Sequence, residues 1–398
     1  GNEIDVKTVY GDGKLKIPAG TQTGTVFKLR GKGAPRLHSE SKGDELVKVM
    51  IDTPKKLNAD QKLVNLGGKI VAADNLSLYG GKSVELGATT TETQSQLGRT
   101  ETGNKQVDRQ SELKVTGKGG ELSIQSGGDI TLKAANVKSA GTVDVNAKGK
   151  LLVTTEKQSS KEHYDFSDNH HYHLDKENEV GSVIEGKEGT RLVGQEETTL
   201  RQAEVTSANG KVMVASKGDV RIEEGRDIEH LATRNKQKSK GAFTSVTEEY
   251  KHKHNYDLSK GSEIDGKSVV IYSQDGNVTV QGSDIVGDDS LTVKAKNIDI
   301  REAENRVYSD DYYSKKKSGM LGGGIGVTFG SQKQTLENDR TRLYASGSQV
   351  GSLNNNTTMV AENAYTQTAS IVSAIKGDVN ILAKKANIKA ADDKYETN

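Results

Sequence analysis

Gly128-Asp129-Ile130-Thr131-Leu132-Lys133-Ala134 is a Gly-Asp turn followed by a run in which apolar and polar residues alternate. The same pattern, with Asp or Asn after the glycine, returns at 218–222, 276–282 and 377–383. Glycine, Asn and Asp accept the backbone conformations of tight turns, and strict alternation is typical of a strand with one buried face. Each unit is therefore a short strand with one face inward, bounded by a tight turn.

The recurrence of this unit from about residue 65 to the end predicts an all-β fold. Turn signals at this spacing also suit an antiparallel sandwich, which usually fills its core with large aromatic residues. Only 4% of this chain is aromatic, and the repeats continue without a domain break. Small Val, Ile, Leu and Ala side chains suit the narrow interior of a parallel β-helix. We therefore predict one continuous β-helix over 65–398, with about twelve coils of roughly 20 residues and a length of roughly 55–60 Å.

Three stretches interrupt the repeats, at about 157–182, 233–261 and 304–340, and the core pattern resumes after each one. Alternation within them predicts protruding hairpins, with Tyr250, His252, His254 and Tyr256 on one face. Tyrosines on rigid arms are favoured recognition residues, although packing back onto the wall is the other reading. The candidate binding residues are Tyr164, His171, Tyr172, His173, Tyr250, His252, His254, Tyr256, Tyr312 and Tyr313.

Residues 1–64 form a different module. All three prolines, Pro18, Pro35 and Pro54, lie in this part, which also carries an excess of four basic residues. The remainder carries an excess of three acidic residues. The sequence of the first module predicts short strands, with Gly11–Gly13 as the turn of a first hairpin.

Composition excludes several classes of function. The chain has no cysteine, so disulfides, Cys-ligated zinc and Cys nucleophiles are absent. The formal net charge of +1 gives no reason to expect a nucleic-acid or membrane-surface partner. Residues from Gly1 onward show no charged-then-apolar export signal, so we expect any such signal to lie outside this sequence.

Three stretches of the first module, Gly13–Gln22, Phe27–Gly33 and Gly43–Leu46, resemble the second C-terminal β-domain of Hsp40 (DnaJ-type) chaperones. The J-domain with its His-Pro-Asp loop, the zinc region and the main peptide groove of that family are missing. The family's dimerising helix would start near Asn58–Gln61 and is replaced by Asn65–Gly68. We interpret residues 1–64 as an engineered cap or fusion.

Lys315–Gln334 resembles the signature insertion of the haemagglutinin repeat, and the frame at Gly347-Ser348 and Gly377–Val379 matches as well. That repeat belongs to filamentous haemagglutinins and contact-dependent growth-inhibition exoproteins of two-partner secretion. The resemblance implies a right-handed β-helix and export through an outer-membrane transporter to the bacterial surface. It also implies an adhesive stalk that contacts a receptor, protein or glycan, on another cell, and delivery of a C-terminal toxin to neighbouring bacteria.

The enzymatic alternative is a β-helix polysaccharide lyase or glycosidase, which needs clustered carboxylates on one face. The acidic residues Asp284, Asp288, Asp289 and Asp299 are scattered at turn positions. The sequence therefore predicts a protein that is not an enzyme.

Two further motifs resemble sites without meeting their requirements. His170-His171-Tyr172-His173 would place two histidines on one face of a strand, too few for a zinc site, so we expect no metal. Gly322–Gly326 lacks the Lys-Ser/Thr of a phosphate loop. We expect no cofactor and no nucleic-acid partner.

Overall fold

Strands make up most of the part of the chain that the structure describes. The computed structural model describes residues 2–8, 11–18, 25–35, 42–49, 60–322 and 327–397. Over these residues no helix is long and apolar enough to cross a membrane. Most of the predicted glycine loop, and residues 58 and 59 of the predicted helix start, lie outside the described residues.

The first module contains two antiparallel strand pairs, β1 Asn2–Thr8 with β2 Gly11–Ile17 and β3 Val26–Leu29 with β4 Glu45–Lys48. Thr8 pairs with Gly11, and residues 9 and 10 lie outside the described residues. The predicted turn at Gly11–Gly13 is wrong because those residues already form the second strand. Gly11 begins this strand with a φ of 102°, a conformation that glycine adopts without strain.

The remaining strands follow in chain order. The first sixteen are β5 Lys62–Leu66, β6 Lys69–Ala72, β7 Leu76–Gly80, β8 Ser83–Gly87, β9 Thr89–Leu97, β10 Thr100–Arg109, β11 Glu112–Val115, β12 Glu121–Ser126, β13 Asp129–Lys133, β14 Asn136–Ser139, β15 Thr142–Ala147, β16 Lys150–Thr154, β17 Glu156–Ser167, β18 His170–Val180, β19 Val183–Gly186 and β20 Gly189–Gly194. The others are β21 Glu197–Arg201, β22 Glu204–Ser216, β23 Val220–Glu223, β24 Gly225–Lys240, β25 Thr244–Lys260, β26 Glu263–Ser273, β27 Asn277–Gln281, β28 Asp284–Arg301, β29 Ala303–Gly322, β30 Val327–Ser346, β31 Gln349–Ser352, β32 Thr357–Thr368, β33 Ile371–Ala374, β34 Val379–Leu382, β35 Lys385–Lys389 and β36 Lys394–Thr397.

Twenty-three of these strands stack in parallel as a three-walled β-helix, which confirms the predicted fold class. Each coil contributes one strand segment to each wall, as β11, β12 and β13 do in one coil and β14, β15 and β16 in the next. Alternate side chains point inward, so Leu122 and Ile124 lie directly below Val143 and Val145 in a core from which water is excluded. Burying each such side chain contributes about 1.5–3 kcal/mol.

The solenoid has nine coils, from β6–β8 to β33–β35, and β5 adds one strand of a further coil. At about 4.8 Å per coil it is roughly 43 Å long, shorter than predicted. The predicted count of twelve was wrong because the insertions hold more residues than the sequence pattern indicated and because a coil takes more than 20 residues, as the 24 from Glu112 to its partner Asn136 show. The predicted boundary at residue 64 also falls inside β5, which pairs with β8 and belongs to the solenoid.

One corner of the β-helix, between the third wall of a coil and the first wall of the next, alternates between two forms. In every second coil it is a tight turn through one residue of positive φ. These residues are Gly67 (64°), Ala134 (49°), Gln202 (45°), Gly282 (51°) and Ala369 (43°). In the coils between them, the chain leaves the corner as a long hairpin and returns to start the next coil.

A serine stands where the chain re-enters the solenoid after each hairpin, at Ser111, Ser182, Ser262 and Ser348. All four are buried. The Ser262 hydroxyl accepts the Ala203 backbone N–H at 3.0 Å and donates to the Glu223 carbonyl at 2.8 Å. Ser182 and Ser348 make the equivalent bonds, with Ala135 and Ser283 as their N–H donors. The hydroxyl thus satisfies backbone groups that the interrupted corner would leave without partners.

We expect the Ser262→Ala variant to be destabilised by about 1–3 kcal/mol, because it leaves the buried Ala203 N–H without an acceptor. The matched control is Ser111→Ala, since the Ser111 hydroxyl is equally buried but has no hydrogen-bond partner. Chemical denaturation followed by circular dichroism measures both. Equal losses of stability in the two variants would show that the hydrogen bonds of Ser262 do not stabilise the corner.

Candidate binding surface

The hairpins do not protrude separately but form one antiparallel sheet, here called the hairpin sheet. It contains four hairpins, hairpin 1 (β9–β10), hairpin 2 (β17–β18), hairpin 3 (β24–β25) and hairpin 4 (β29–β30). Neighbouring hairpins are hydrogen-bonded to one another, and β36 adds a ninth strand along β30. The predicted insertions therefore belong to a single surface.

The sheet is continuous because of a match in dimensions. Strands in any sheet lie about 4.8 Å apart, so a two-stranded hairpin is about 9.6 Å wide. Hairpins leave the corner in every second coil, and two coils of the β-helix rise by the same distance. Each hairpin therefore fills the space up to the next one and pairs with it.

Hairpin 1 was missed in the sequence. The predicted insertion at 157–182 nearly coincides with hairpin 2, whereas the bounds of hairpins 3 and 4 were drawn too narrowly. Fourteen of the 21 residues in 89–109 are Thr, Gln, Glu or basic, and the stretch has none of the Tyr and His that marked the other insertions. Gly98, which has a φ of 60° at the turn, was a sequence feature that could have indicated a hairpin here. A stretch that is polar throughout resembles a loop in the sequence. Its strands are held in place by hydrogen bonds to hairpin 2, which lies far away in the sequence.

The hairpins lengthen along the chain. Strands of 9 and 10 residues form hairpin 1, and strands of 20 residues form hairpin 4. Hairpin 2 ends level with Asn235, since His170 pairs with that residue. Farther from the solenoid than this level, only the four strands of hairpins 3 and 4 continue.

Ion pairs fasten hairpin 2 to the coils on either side of it. Glu179, whose side chain is 3% exposed, is held by Arg201 of the next coil at 2.6 and 2.8 Å and accepts a hydrogen bond from Thr155. Glu156 binds Lys133 of the preceding coil at 2.6 Å. Burial alone would raise the pKa of both carboxyls, but these partners hold each pKa below its usual value.

One face of the sheet, here called the aromatic face, carries most of the rings. Directly paired residues share a face, so the register places Tyr250 beside Tyr313 and Tyr164 beside Tyr172. Their ring centroids are 4.8 and 6.1 Å apart. Burial, and then the neighbouring Tyr313, raise the pKa of Tyr250.

A groove of about 590 Å³ runs across the aromatic face between these two ring pairs. Tyr172 of hairpin 2 forms one side, and Tyr250 and Tyr313 form the other. The smaller Thr233 and Asn235 of β24 lie between them as the floor. Tyr172 and Tyr250 stand two strands apart, so the groove is roughly 10 Å wide.

Polar groups and exposed apolar groups complete this groove. His252 is fixed by Asp311, with 2.6 Å between Nδ1 and the carboxylate, and Asn338 stands next to Asp311 on the adjacent strand. Phe166 and Leu336, 76% and 67% exposed, line the upper edge. Ring faces combined with oriented polar groups and exposed apolar side chains form a surface suited to binding another molecule.

The opposite face is charged and holds a histidine stack. The rings of His163 and His171 lie 4.4 and 4.8 Å from that of His173. Asp175 binds His163 at 3.0 Å, and Asp165 binds His173 at 2.9 Å. Burial, and then the nearby His173, lower the pKa of His171. Among the described residues no group of three or more His, Asp or Glu side chains is arranged to hold a metal ion.

The structure divides the predicted binding residues between the two faces. Seven lie on the aromatic face: Tyr164, Tyr172, Tyr250, His252, His254, Tyr256 and Tyr313. Three lie on the charged face: His171, His173 and Tyr312. The prediction missed Phe166, Asp311, Leu336 and Asn338, because their strands meet the groove only through long-range pairing.

Comparison with known proteins identifies both parts of the chain. A model of the hemagglutinin repeat family matches residues 93–169 and 242–398, more than half of the chain. A model of the DnaJ C terminal domain matches residues 1–54. These matches confirm the two resemblances inferred from the sequence. No solved structure matches the chain.

The similar curated proteins are chaperones. Chaperone protein DnaJ of Lactiplantibacillus plantarum is 57% identical over 82 residues, which are 19% of this chain and 22% of that protein. Chaperone protein DnaJ of Enterococcus faecalis is 66% identical over 62 residues, 16% of each chain. The chain thus spans about a fifth of the length of these relatives.

We expect Arg201→Ala to destabilise the protein by about 2–3 kcal/mol at neutral pH, because the buried Glu179 carboxylate loses its cation. A depressed carboxyl pKa contributes stability that is present above the unfolded-state pKa and is lost as pH falls through the folded-state pKa. Without Arg201, burial would raise the pKa of Glu179 above its unfolded-state value, so the destabilisation relative to the parent protein should be greatest at neutral pH and should shrink as the carboxyl is protonated at acid pH. Melting temperatures measured across the acid range test this.

The control for Arg201→Ala is Arg191→Ala. Arg191 pairs with Asp144 on the solenoid wall, where both side chains are more exposed. Such pairs contribute less than about 1 kcal/mol. An equal effect of the two substitutions would contradict a specific anchoring role for Arg201.

Proposed function

Because the chain belongs to the hemagglutinin repeat family, we propose that its β-helix is a rigid stalk that presents the hairpin sheet to the surface of another cell. Repeats of this family form stalks of large adhesive exoproteins, which are typically secreted or displayed at the cell surface. Neither this family nor the DnaJ C terminal domain is an enzyme family. The proposed role is therefore binding rather than catalysis.

The observation that supports this proposal is the groove on the aromatic face. A β-helix buries its core between neighbouring coils and does not need an additional sheet for that purpose. Here the sheet places Tyr172, Tyr250 and Tyr313 around one groove with its polar groups already oriented. Tyrosine provides large contact area at low entropic cost, and it is enriched in binding hot spots.

The proposed partner is a receptor in the outer membrane or on the surface of a target cell, protein or glycan. An outer-membrane transporter is the proposed partner during export. Delivery of a C-terminal toxin to the bound cell, which the family resemblance implies, would use the stalk to hold the two cells together.

Replacing Tyr250 and Tyr313 with Ala should weaken binding to target cells about tenfold or more, because each truncated hot-spot tyrosine removes more than about 1 kcal/mol. The matched control is Tyr308→Ala, which removes a tyrosine from the charged face outside the lining of the groove. Flow cytometry with labelled protein measures binding, and thermal unfolding verifies the fold. Unchanged binding by the double variant, or equal loss in the control, would refute a receptor site in the groove.

For the first module, predicted as residues 1–64 and ending before β5, we propose the role of a solubilising cap. The first coils expose Val64, Leu66 and Val71, and open strand edges of this kind promote association between molecules. Deleting residues 1–60, which keeps β5, should cause aggregation or filament growth while leaving cell binding unchanged. Light scattering and the binding assay measure the two effects. A monomeric, soluble deletion variant would contradict the cap role.

A further inference from the structure

The outer end of hairpins 3 and 4 differs in charge from the rest of the hairpin sheet. Lower in the sheet, basic residues pair with acids on the neighbouring strand, as Lys161 does with Glu101 and Lys176 with Glu229. Above the level of Asn235 the described acidic residues are Glu248 and Glu249, and both are already paired with cations. Five lysines at this end are exposed and have no acidic partner: Lys238, Lys240, Lys316, Lys317 and Lys333.

Four of these lysines lie on the charged face in two neighbouring rows. One row across the four strands consists of Lys238, Thr247, Lys316 and Lys333. Lys316 and Lys333 are directly opposite each other, an arrangement that is destabilising for two like charges. An anion lying across the row would relieve this repulsion.

The row next to it, toward the tip, supplies hydroxyl groups. It consists of Lys240, Ser245, Ser318 and Ser331. Serine hydroxyls donate hydrogen bonds to anionic oxygens, and lysine ammonium groups attract them. Together the two rows offer cations and donors over a width of four strands, roughly 14 Å.

Apolar side chains occupy the next row toward the end of hairpin 4, with two further strand pairs beyond it. Phe329 pairs with Met320 one row beyond the serines, and the Met320 N–H bonds to the carbonyl of Phe243. Phe243 and Phe329 are 66% and 69% exposed. Rows on one face are spaced by about 7 Å, so the apolar end stands about 14 Å beyond the row with Lys316.

We propose that this basic tip, formed by the outer ends of hairpins 3 and 4, docks onto the surface of an anionic phospholipid bilayer. The order of the rows matches the order of layers in such a surface. Phe243 and Phe329 reach the boundary between headgroups and acyl chains, the serines lie among the headgroups, and the lysines face the phosphates. A nucleic acid would satisfy the lysines but leave Phe243 and Phe329 in water.

This surface is separate from the groove on the aromatic face, because its lysine and serine rows lie on the opposite face and farther from the solenoid. It adds a lipid contact to the proposed receptor contact. Holding the tip at a bilayer would bring the groove within reach of a receptor embedded there. The two roles can be tested independently on the same full-length chain.

The test is sedimentation of the full-length protein with vesicles of phosphatidylcholine alone or with about one-third phosphatidylglycerol. We expect the protein to bind the anionic vesicles at least tenfold more tightly, with affinity falling as salt rises. The triple variant Lys238→Gln, Lys316→Gln, Lys333→Gln should lose about a hundredfold of that affinity, since three surface charges near the lipid are removed. Phe243→Ser should also weaken binding, with less dependence on salt.

The matched control for charge is Lys118→Gln, Lys148→Gln, Lys217→Gln, which removes three exposed lysines from the turns between the solenoid walls. Its binding to anionic vesicles should stay unchanged. Equal binding to neutral and anionic vesicles, or equal loss in the two triple variants, would overturn the proposal. Lysine-dependent binding of a short DNA duplex without vesicle binding would replace it with a nucleic-acid site. The Tyr250→Ala, Tyr313→Ala variant should still bind vesicles, so failure of the receptor site remains distinguishable.

Discussion

The spacing of hydrogen-bonded strands, about 4.8 Å, is the constraint on which the rest of the structure depends. It sets the rise of each coil in the β-helix and the separation of strands in the hairpin sheet. A hairpin contributes two strands, so hairpins from every second coil fill the sheet without gap or overlap. Hairpins from every coil would be too crowded to lie side by side, and hairpins from every third coil would leave unpaired edges. The tight corners at Ala134, Gln202 and Gly282 maintain this alternation between successive hairpins.

The hairpin sheet is a single layer and depends on the solenoid for its order. An isolated two-stranded hairpin is marginally stable in water, and most residues of these hairpins remain at least partly exposed. Fixed spacing at the corner removes much of the entropic cost of aligning the strands, because both ends of each hairpin are already positioned. The buried serines and the ion pair between Glu179 and Arg201 strengthen these ends. Cross-strand pairs can then hold the remainder without a hydrophobic core.

The sequence predicted local structure well and long-range pairing poorly. The Gly-Asp units identified the solenoid, and alternation correctly placed Tyr250, His252, His254 and Tyr256 on one face. The union of hairpins into one sheet was not predictable from alternation, because residues such as Tyr250 and Tyr313 are far apart in sequence and meet through backbone register. Hairpin 1 has no apolar face and therefore gave no periodic signal.

The net charge of the chain is a poor guide to its partners, because this structure separates charges by position. Lysines low in the sheet have acidic neighbours on the next hairpin, as Lys161 has Glu101. The outer part of hairpin 4 has no such neighbour on the charged face, since hairpin 3 places Thr247 and Ser245 beside Lys316 and Ser318. The increase in hairpin length therefore does more than enlarge the sheet. It carries Lys316 and Lys333 beyond the region where charges are balanced, so a chain with a formal net charge of +1 presents a concentrated basic surface at its most exposed edge.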